Sequence, residues 1–149
     1  MKKLGLVLVM SLLFSSLFAS CDKDDDVRVG FEETPTVLQD FVKTHFSGVN
    51  IRYVEKDYQG YDVKLKNNID LDFNLQGEWT EVDVNKGIMP QSVISLLPEK
   101  ISSYLAEKHA GRNIESISIK TYGYKIDLIG NPDIELIFNK EGDFQQYDD

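Results

Sequence analysis

Apolar and polar residues alternate with a period of two over most of the chain beyond residue 50. Residues 61–66 read Tyr-Asp-Val-Lys-Leu-Lys, and residues 69–74 read Ile-Asp-Leu-Asp-Phe-Asn. Such alternation is typical of strands with one buried face, and turn dipeptides such as Gln59-Gly60 and Asn67-Asn68 separate the segments. The pattern predicts eight strands, near residues 51–58, 61–67, 69–75, 78–84, 114–121, 124–130, 133–139 and 143–148.

Two other segments follow the helical period of i, i+3, i+4, i+7 and i+8, which predicts an amphipathic helix in each. Thr34 is predicted to cap the first helix, with Pro35 at its first position, and Pro98 opens the second. A further turn or two is predicted after Met89-Pro90, broken by Pro98. The two stripes consist of Leu38, Phe41, Val42, His45 and Phe46, and of Ile101, Tyr104, Leu105, Lys108 and His109.

The second half of the chain repeats the first. Eight residues recur at an offset of 63, namely Pro35, Gly48, Asn50, Ile51, Gly60, Tyr61, Leu65 and Asn68. After a two-residue insertion, five more recur at an offset of 65, namely Ile69, Leu71, Phe73, Asn74 and Gly77. These identities occur in one order with one gap, which indicates an internal duplication rather than chance.

The duplication and the short loops together predict the fold class. Loops this short join only antiparallel neighbours, and one apolar face per strand leaves the other face in water. We therefore expect an α+β protein made of two tandem helix-plus-four-strand repeats, with the helices on one face of an antiparallel sheet. The domain is predicted over residues 34–149, with repeat 1 at 34–84 and repeat 2 at 90–149.

The first 20 residues have the pattern of a secretory signal. Lys2 and Lys3 precede an apolar run, and Ala19-Ser20 leads into Cys21, the only cysteine. This segment resembles the lipobox of bacterial lipoproteins, which implies that Cys21 is lipidated and anchors the protein to a membrane. The alternative is an unpaired thiol after an ordinary signal peptide. Residues 21–33 are predicted to be an acidic tether, which is either a solvated spacer or an export signal for the outer surface. We expect an outer-membrane location, at the cell surface or facing the periplasm.

Composition excludes one large class of partner. The chain carries 25 acidic and 16 basic residues, a net charge of −9. Removing residues 1–20 removes two lysines and leaves 129 residues with a charge of −11. Phosphate backbones are bound by basic surfaces, so we expect no nucleic-acid partner.

The sequence contains no arrangement that predicts catalysis. Motifs for zinc proteases, serine hydrolases, nucleotide binding and dinucleotide binding are absent from it. His45 and His109 fall near the helix ends, where capping or core packing is favoured over catalysis. Carboxylates are many but dispersed, so neither a metal site nor a cofactor is expected. The protein is predicted not to be an enzyme.

Short motifs carry a family resemblance that covers residues 35–149. Gly60-Tyr61-Asp62-Val63 and Gly77-Glu78-Trp79, together with the helices opened by Pro35 and Pro98, resemble the β-lactamase-inhibitor-like, PepSY-like family. Its members are exported proteins of Bacteroidota-type bacteria and often lipoproteins. The resemblance implies two tandem modules that share one curved sheet, as in β-lactamase inhibitor proteins.

The sheet face without helices is the predicted binding surface for a protein or peptide. Exposed aromatic side chains ringed by polar groups are typical of such surfaces. Trp79 and Phe144 are equivalent in the duplication, and both are either exposed on this face or packed in the core. The predicted partner-binding residues are Tyr53, Trp79, Glu81, Ile129, Ile137 and Phe144.

Three functions remain open at this point. The first is a binding module, including an inhibitor of an exported hydrolase. The second is a structural or envelope-assembly lipoprotein with no specific ligand, and the third is a module that binds a small ligand or cation. A contiguous apolar and aromatic patch on the sheet favours the first over the second, whereas a uniformly charged face favours the second.

Overall fold

The structure, a computed structural model, describes residues 26–148. Within this range the chain forms nine strands and three α-helices, and one turn of 3-10 helix at Phe31–Glu33 lies between the first strand and the first α-helix. The helices are α1 (Thr36–His45), α2 (Gln91–Ile94) and α3 (Glu99–Lys108). The strands are β1 (Val27–Val29), β2 (Ile51–Lys56), β3 (Gly60–Leu65), β4 (Asp70–Asn74), β5 (Trp79–Asp83), β6 (Ile114–Lys120), β7 (Gly123–Leu128), β8 (Ile134–Asn139) and β9 (Phe144–Asp148).

The strands form one antiparallel sheet in chain order, from β1 to β9. The predicted α+β class is confirmed, and the eight predicted strands are present with ends within two residues of the prediction. Pairing of β5 with β6 joins the two repeats, with Val82 opposite Ile117. The sheet is therefore continuous across the whole described domain.

Residues 27–33, which the charge pattern assigned to the acidic tether, belong to the folded domain. Val29 of β1 pairs with Val54 of β2 and packs against the core. In the second repeat, β5 occupies the corresponding place beside β6. Strand β1 thus covers the edge of β2 that would otherwise expose unpaired backbone groups.

Both repeats contain the same two irregularities. Arg52 in β2 and Glu115 in β6 are extra residues in their strands, because the register advances two positions there for one on the partner strand. Thr80 in β5 and Gln145 in β9 are extra residues of the same kind. Such β-bulges change which face the following side chains occupy. The duplication seen in sequence therefore extends to fine features of the backbone.

The helices supply buried side chains to one side of the sheet. Leu38 of α1, Val93 of α2 and Ile101 of α3 are fully buried in the same cluster as the inward residues of the strands. The alternation of the strands sends every second side chain into this core. The strand residues with no exposure are Val63, Leu65, Leu71, Val82, Ile117, Ile126, Leu136 and Phe138.

The first helix begins one residue later than expected. Pro35 is its N-cap, and the Thr34 hydroxyl donates to the Phe31 carbonyl oxygen at 2.7 Å instead of capping the helix. The 3-10 turn before the helix provides this alternative acceptor, and the sequence pattern did not predict that turn. The break at Pro98 is as expected, since α2 ends at Ile94 and Pro98 is the N-cap of α3.

The signal segment and Cys21 lie outside the described residues. Among residues 26–148, no helix has both the length and the apolar character needed to cross a bilayer.

Candidate functional site: the open face of the sheet

The side of the sheet opposite the helices is called the open face here. Its side chains form two rows that cross the strands, because paired residues in an antiparallel sheet point to the same side. The first row is Arg28, Glu55, Asp62, Asp72, Glu81, Ser118, Lys125, Ile137 and Gln146. The second row is Tyr53, Lys64, Asp70, Asp83, Ser116, Asp127, Glu135 and Asp148.

The open face is strongly acidic. The two rows contain nine carboxylates and three basic side chains. Along the sequence these carboxylates are scattered singly, and for that reason they were expected to be dispersed. That expectation is wrong, because the strand register brings them together on neighbouring strands.

Three carboxylates meet at the centre of repeat 1. Asp72 of β4 lies opposite Asp62 of β3 on one side and Glu81 of β5 on the other. Burial, followed by the hydrogen bond and the charge of Asp62, raises the pKa of Asp72 from 3.8 to about 7. Like charges placed directly opposite each other destabilise a sheet. Asp72 therefore relieves this repulsion by retaining a proton near neutral pH.

Basic side chains compensate the acidic charge only locally. Lys64 lies 3.4 Å from Asp70 in repeat 1, and Lys120 of β6 lies 3.5 Å from Glu81. In repeat 2, Lys125 lies 2.5 Å from Glu135 and 3.4 Å from Asp148, and its pKa rises to about 12, chiefly through the hydrogen bond to Glu135. The acidic excess is thus greatest over β3, β4 and β5.

Two serines of β6 connect the acidic groups of the two repeats. The Ser118 hydroxyl donates to Glu81 Oε2 at 2.8 Å, and the Ser116 hydroxyl donates to Asp127 Oδ2 at 2.6 Å. Burial raises the pKa of Asp127. Both serines are almost fully buried although they face the open side. The acidic surface is therefore continuous across the seam between the repeats.

Three of the predicted partner-binding residues lie on the open face as expected. The Arg28 guanidinium lies over the Tyr53 ring, 4.3 Å from its centroid, and Glu81 belongs to the first row, opposite Asp72. Ile137 is half-buried between Lys125 and Gln146. Ile129 follows the last residue of β7, and its N–H donates to the Asn113 carbonyl oxygen at 2.9 Å.

Trp79 and Phe144 lie on the helix side, which corrects their expected exposure on the open face. Trp79 stacks on Phe41 of α1 with centroids 5.7 Å apart, and Phe144 stacks on Tyr104 of α3 at 4.7 Å. Simple alternation from Glu81 would place Trp79 on the open face. The bulge residue Thr80 reverses this assignment, and Gln145 does the same for Phe144. The alternative of core packing is the one that the structure supports.

The two histidines pack against aromatic rings. His45 lies 4.5 Å from the Phe41 ring and His109 lies 5.8 Å from the Tyr104 ring, measured between centroids. Burial lowers the pKa of both imidazoles, and the charge of Arg112 lowers that of His109 further. Core packing of neutral rings therefore describes them better than charged capping of the helix ends.

The carboxylates do not converge on one point. Among residues 26–148, no group of three or more His, Cys, Asp or Glu side chains is arranged to hold a metal ion. Rows on a sheet spread their charges along a surface, whereas metal ligands must converge within about 2.6 Å of one ion.

The sequence pattern did not predict the two acidic rows of the open face. Asp70 and Asp72 alternate along β4, and Asp62 follows the same pattern in β3, so the individual residues were visible in sequence. Their adjacency was not, because it depends on the register between strands.

Comparison with known proteins agrees with this architecture. The family model described as β-lactamase-inhibitor-like, PepSY-like matches residues 23–76 and 59–146. A periplasmic protein of unknown function from Bacteroides vulgatus is 31% identical, with a TM-score of 0.74 over 83% of this chain and 99% of its own. A periplasmic protein from Bacteroides thetaiotaomicron, described as calcium-regulated, is 25% identical, with a TM-score of 0.75 over 85% of this chain and 98% of its own. No curated protein matches the chain.

The two family matches together span nearly all of the described domain, and they follow the duplicated order of helix and strands. The suspected resemblance is confirmed, and the chain belongs to the β-lactamase-inhibitor-like, PepSY-like family.

Proposed function

We propose that this protein is a non-catalytic binding module that holds a positively charged protein or peptide against its open face. The observation that carries this proposal is the excess of nine carboxylates over three basic side chains in the two rows of that face, beside which Lys120 is a fourth basic group. A surface of one sign attracts partners of the opposite sign and accelerates their association.

The margins of the open face offer contacts of a different kind. Tyr53 lies toward the β1 edge, and Ile129 and Ile137 belong to the second repeat. Apolar and aromatic side chains beside a charged surface supply most of the binding energy in many interfaces. In this proposal the acidic rows orient the partner, and these residues anchor it at the two ends.

Inhibition of an exported hydrolase is the specific form of this activity that we propose. It is supported by the family description as β-lactamase-inhibitor-like. The partner would then be a hydrolase whose active-site region carries an excess of Lys and Arg. Assay of the captured partner with and without this protein tests this form directly.

Matched charge variants test the open face. The test variant carries Asp62→Asn, Asp72→Asn and Glu81→Gln, and the control carries Glu32→Gln, Glu107→Gln and Glu141→Gln, which are exposed residues away from the open face. Each variant replaces three carboxylates, and binding is measured at pH 8, above the pKa of about 7 of Asp72, so that both variants remove close to three charges. Partners are captured from envelope extracts with the Cys21→Ser chain, and their dissociation constants are then measured with each variant by biolayer interferometry.

We expect the test variant to bind about tenfold more weakly and the control to bind as the wild type does. Three exposed ion pairs at roughly 0.5 kcal/mol each amount to about 1.5 kcal/mol. Equal weakening of both variants would mean that binding follows net charge and not the open face. A charged face was the expectation for the structural, ligand-free alternative, and Trp79 and Phe144 lie on the helix side. Failure to capture any partner above background would therefore favour that alternative.

Calcium binding is the second candidate function, because one structural relative is described as calcium-regulated. The acidic rows are the surface on which an ion would be expected, although their carboxylates do not converge. Thermal denaturation with and without calcium chloride separates the two candidates. A rise in melting temperature in the wild type that is lost in the open-face variant would favour calcium over a protein partner.

We also propose that Cys21 carries a lipid that anchors the protein to the outer membrane. The basis is the lipobox-like segment before Cys21. In cells grown with an alkyne analogue of palmitate, we expect the wild type to be labelled and Cys21→Ala not to be. Membrane fractionation should find the wild type, but not Cys21→Ala, in the outer membrane. Equal labelling of both proteins would rule out this anchor.

A further inference from the structure

Each repeat carries a groove on the helix side, between its long helix and its last strand. The groove of repeat 1 has a volume of about 610 Å³ and a floor formed by the stacked rings of Phe41 and Trp79. Val37 and Ile119 flank it, with exposures of 56% and 37%. The groove of repeat 2 has a volume of about 410 Å³, and the rings of Tyr104 and Phe144 take the corresponding places.

The same hydrogen bonds hold an acidic residue at the rim of each groove. In repeat 1, Asn74 Nδ2 donates to Glu78 Oε2 at 2.8 Å, and the Glu78 N–H donates to Asn74 Oδ1 at 3.0 Å. In repeat 2, Asn139 Nδ2 donates to Asp143 Oδ2 at 3.4 Å, and the Asp143 N–H donates to Asn139 Oδ1 at 2.8 Å. The two rims are therefore built in the same way.

The grooves differ in how the rim carboxylate is neutralised. In repeat 2, Lys100 Nζ lies 2.6 Å from Asp143 Oδ1, and this contact lowers the pKa of Asp143. Val37 occupies the position of Lys100 in repeat 1. Among the described residues, the Glu78 carboxylate accepts the Asn74 hydrogen bond and makes no ion pair. Repeat 2 thus contains an internal ammonium group that repeat 1 lacks.

The remaining charges of the first groove have the same sign. Asp40 and Glu78 are its charged lining residues, and the one titratable base in its lining is His45. Burial lowers the pKa of His45, so the imidazole is neutral near pH 7. An apolar floor beneath an acidic rim is complementary to a side chain with an aliphatic stem and a cationic end.

We propose that the groove of repeat 1 binds a lysine side chain from a partner polypeptide. The ammonium group pairs with Glu78, as Lys100 pairs with Asp143 in repeat 2, and the aliphatic stem lies on Phe41 and Trp79. Apolar residues of the partner on either side of that lysine contact Val37 and Ile119. This site lies on the helix side and does not depend on the open face.

The chain itself provides a direct reporter for this site. Trp79 is the only tryptophan in the sequence and forms part of the groove floor. Its fluorescence therefore responds to occupancy of this groove. The probe is the peptide acetyl-Leu-Lys-Leu-amide, and the control peptide is acetyl-Leu-Gln-Leu-amide, which has the same apolar contacts without the charge.

Reciprocal exchange between the repeats provides the decisive variants. Val37→Lys gives repeat 1 the internal lysine of repeat 2, and Lys100→Val removes it from repeat 2. We expect the probe to change the Trp79 emission in a saturable way, with binding about fivefold weaker in Val37→Lys and in Glu78→Gln. Equilibrium dialysis should give one bound probe for each wild-type chain and two for Lys100→Val.

Several outcomes would overturn the proposal. Equal binding of the lysine and glutamine peptides would leave no role for Glu78, and unchanged binding in Val37→Lys would place the probe elsewhere. A change in Trp79 emission with protein concentration alone would identify a second copy of this chain as the occupant. The open-face variant Asp62→Asn, Asp72→Asn, Glu81→Gln must bind the probe as the wild type does, so the failure of the open-face proposal and that of this one are distinguishable.

Discussion

At the scale of single residues, Gly77 and Gly142 fix the contact between the last hairpin of each repeat and the long helix of that repeat. Both have a φ of +84°, a conformation that residues with a side chain rarely adopt. A Cβ atom at either position would lie 2.7 Å from the Cβ of the proline that precedes the helix, Pro35 or Pro98. The two glycines therefore serve both the turn and the packing of the groove walls.

Gly77→Ala is expected to destabilise the protein by about 2–5 kcal/mol. The positive φ contributes roughly 1–2 kcal/mol, and the clash with Pro35 adds about 1–3 kcal/mol. Gly48→Ala is the matched control, because Gly48 has a φ of +82° and no atom within 4 Å of an added Cβ. Urea denaturation at pH 7 measures both variants. Equal losses of stability would show that the Pro35 contact contributes nothing.

At the scale of elements, the pairing of β3, β4 and β5 decides the protonation of Asp72. The carboxylates of Asp62 and Glu81 flank it on the two neighbouring strands and raise its pKa, whereas the charge of Lys64 lowers it. Because the pKa of Asp72 is about 7 in the folded protein against an ordinary value of 3.8, the folded state binds the proton more tightly. The resulting stabilisation is fully present below pH 3.8 and is lost as the pH rises through about 7.

The Asp72→Asn variant is therefore expected to gain stability relative to the wild type as the pH increases from 5 to 8, with the largest gain at pH 8. An amide cannot ionise, so the repulsion from Asp62 and Glu81 no longer develops. Melting temperatures at half-unit pH steps measure the difference, and Asp40→Asn on α1 serves as the control. A constant difference between wild type and Asp72→Asn across this range would contradict the raised pKa.

Strand periodicity predicted most of the elements but failed where backbone irregularities intervene. Tyr53, Glu81 and Ile137 lie on the face that simple alternation with the adjacent buried residues predicts. Trp79 and Phe144 do not, because Thr80 and Gln145 each add one residue to their strands. Nothing local to these residues distinguishes a bulge from regular strand, since the bulge is a relation between two strands.

At the scale of the whole molecule, the duplication produces two similar halves with different surroundings. The last strand of repeat 1 pairs with β6, whereas the last strand of repeat 2 is the edge of the sheet. The groove of repeat 1 consequently lies beside the second repeat and includes Ile119 in its lining. The open face continues across the same seam. One duplicated unit thereby gives rise to two surfaces, one acidic and one apolar with an acidic rim.

The sequence by itself determined eight of the nine strands, the helices, the duplication, the fold class and the family, because each of these is recorded in the spacing of residues along the chain. Tertiary structure alone decided which residues are neighbours across strands. The strand register gathered isolated carboxylates into the acidic rows, moved Trp79 and Phe144 to the helix side, and joined β1 to the sheet. These outcomes depend on hydrogen bonding between distant segments, which no local pattern of apolar and polar residues records.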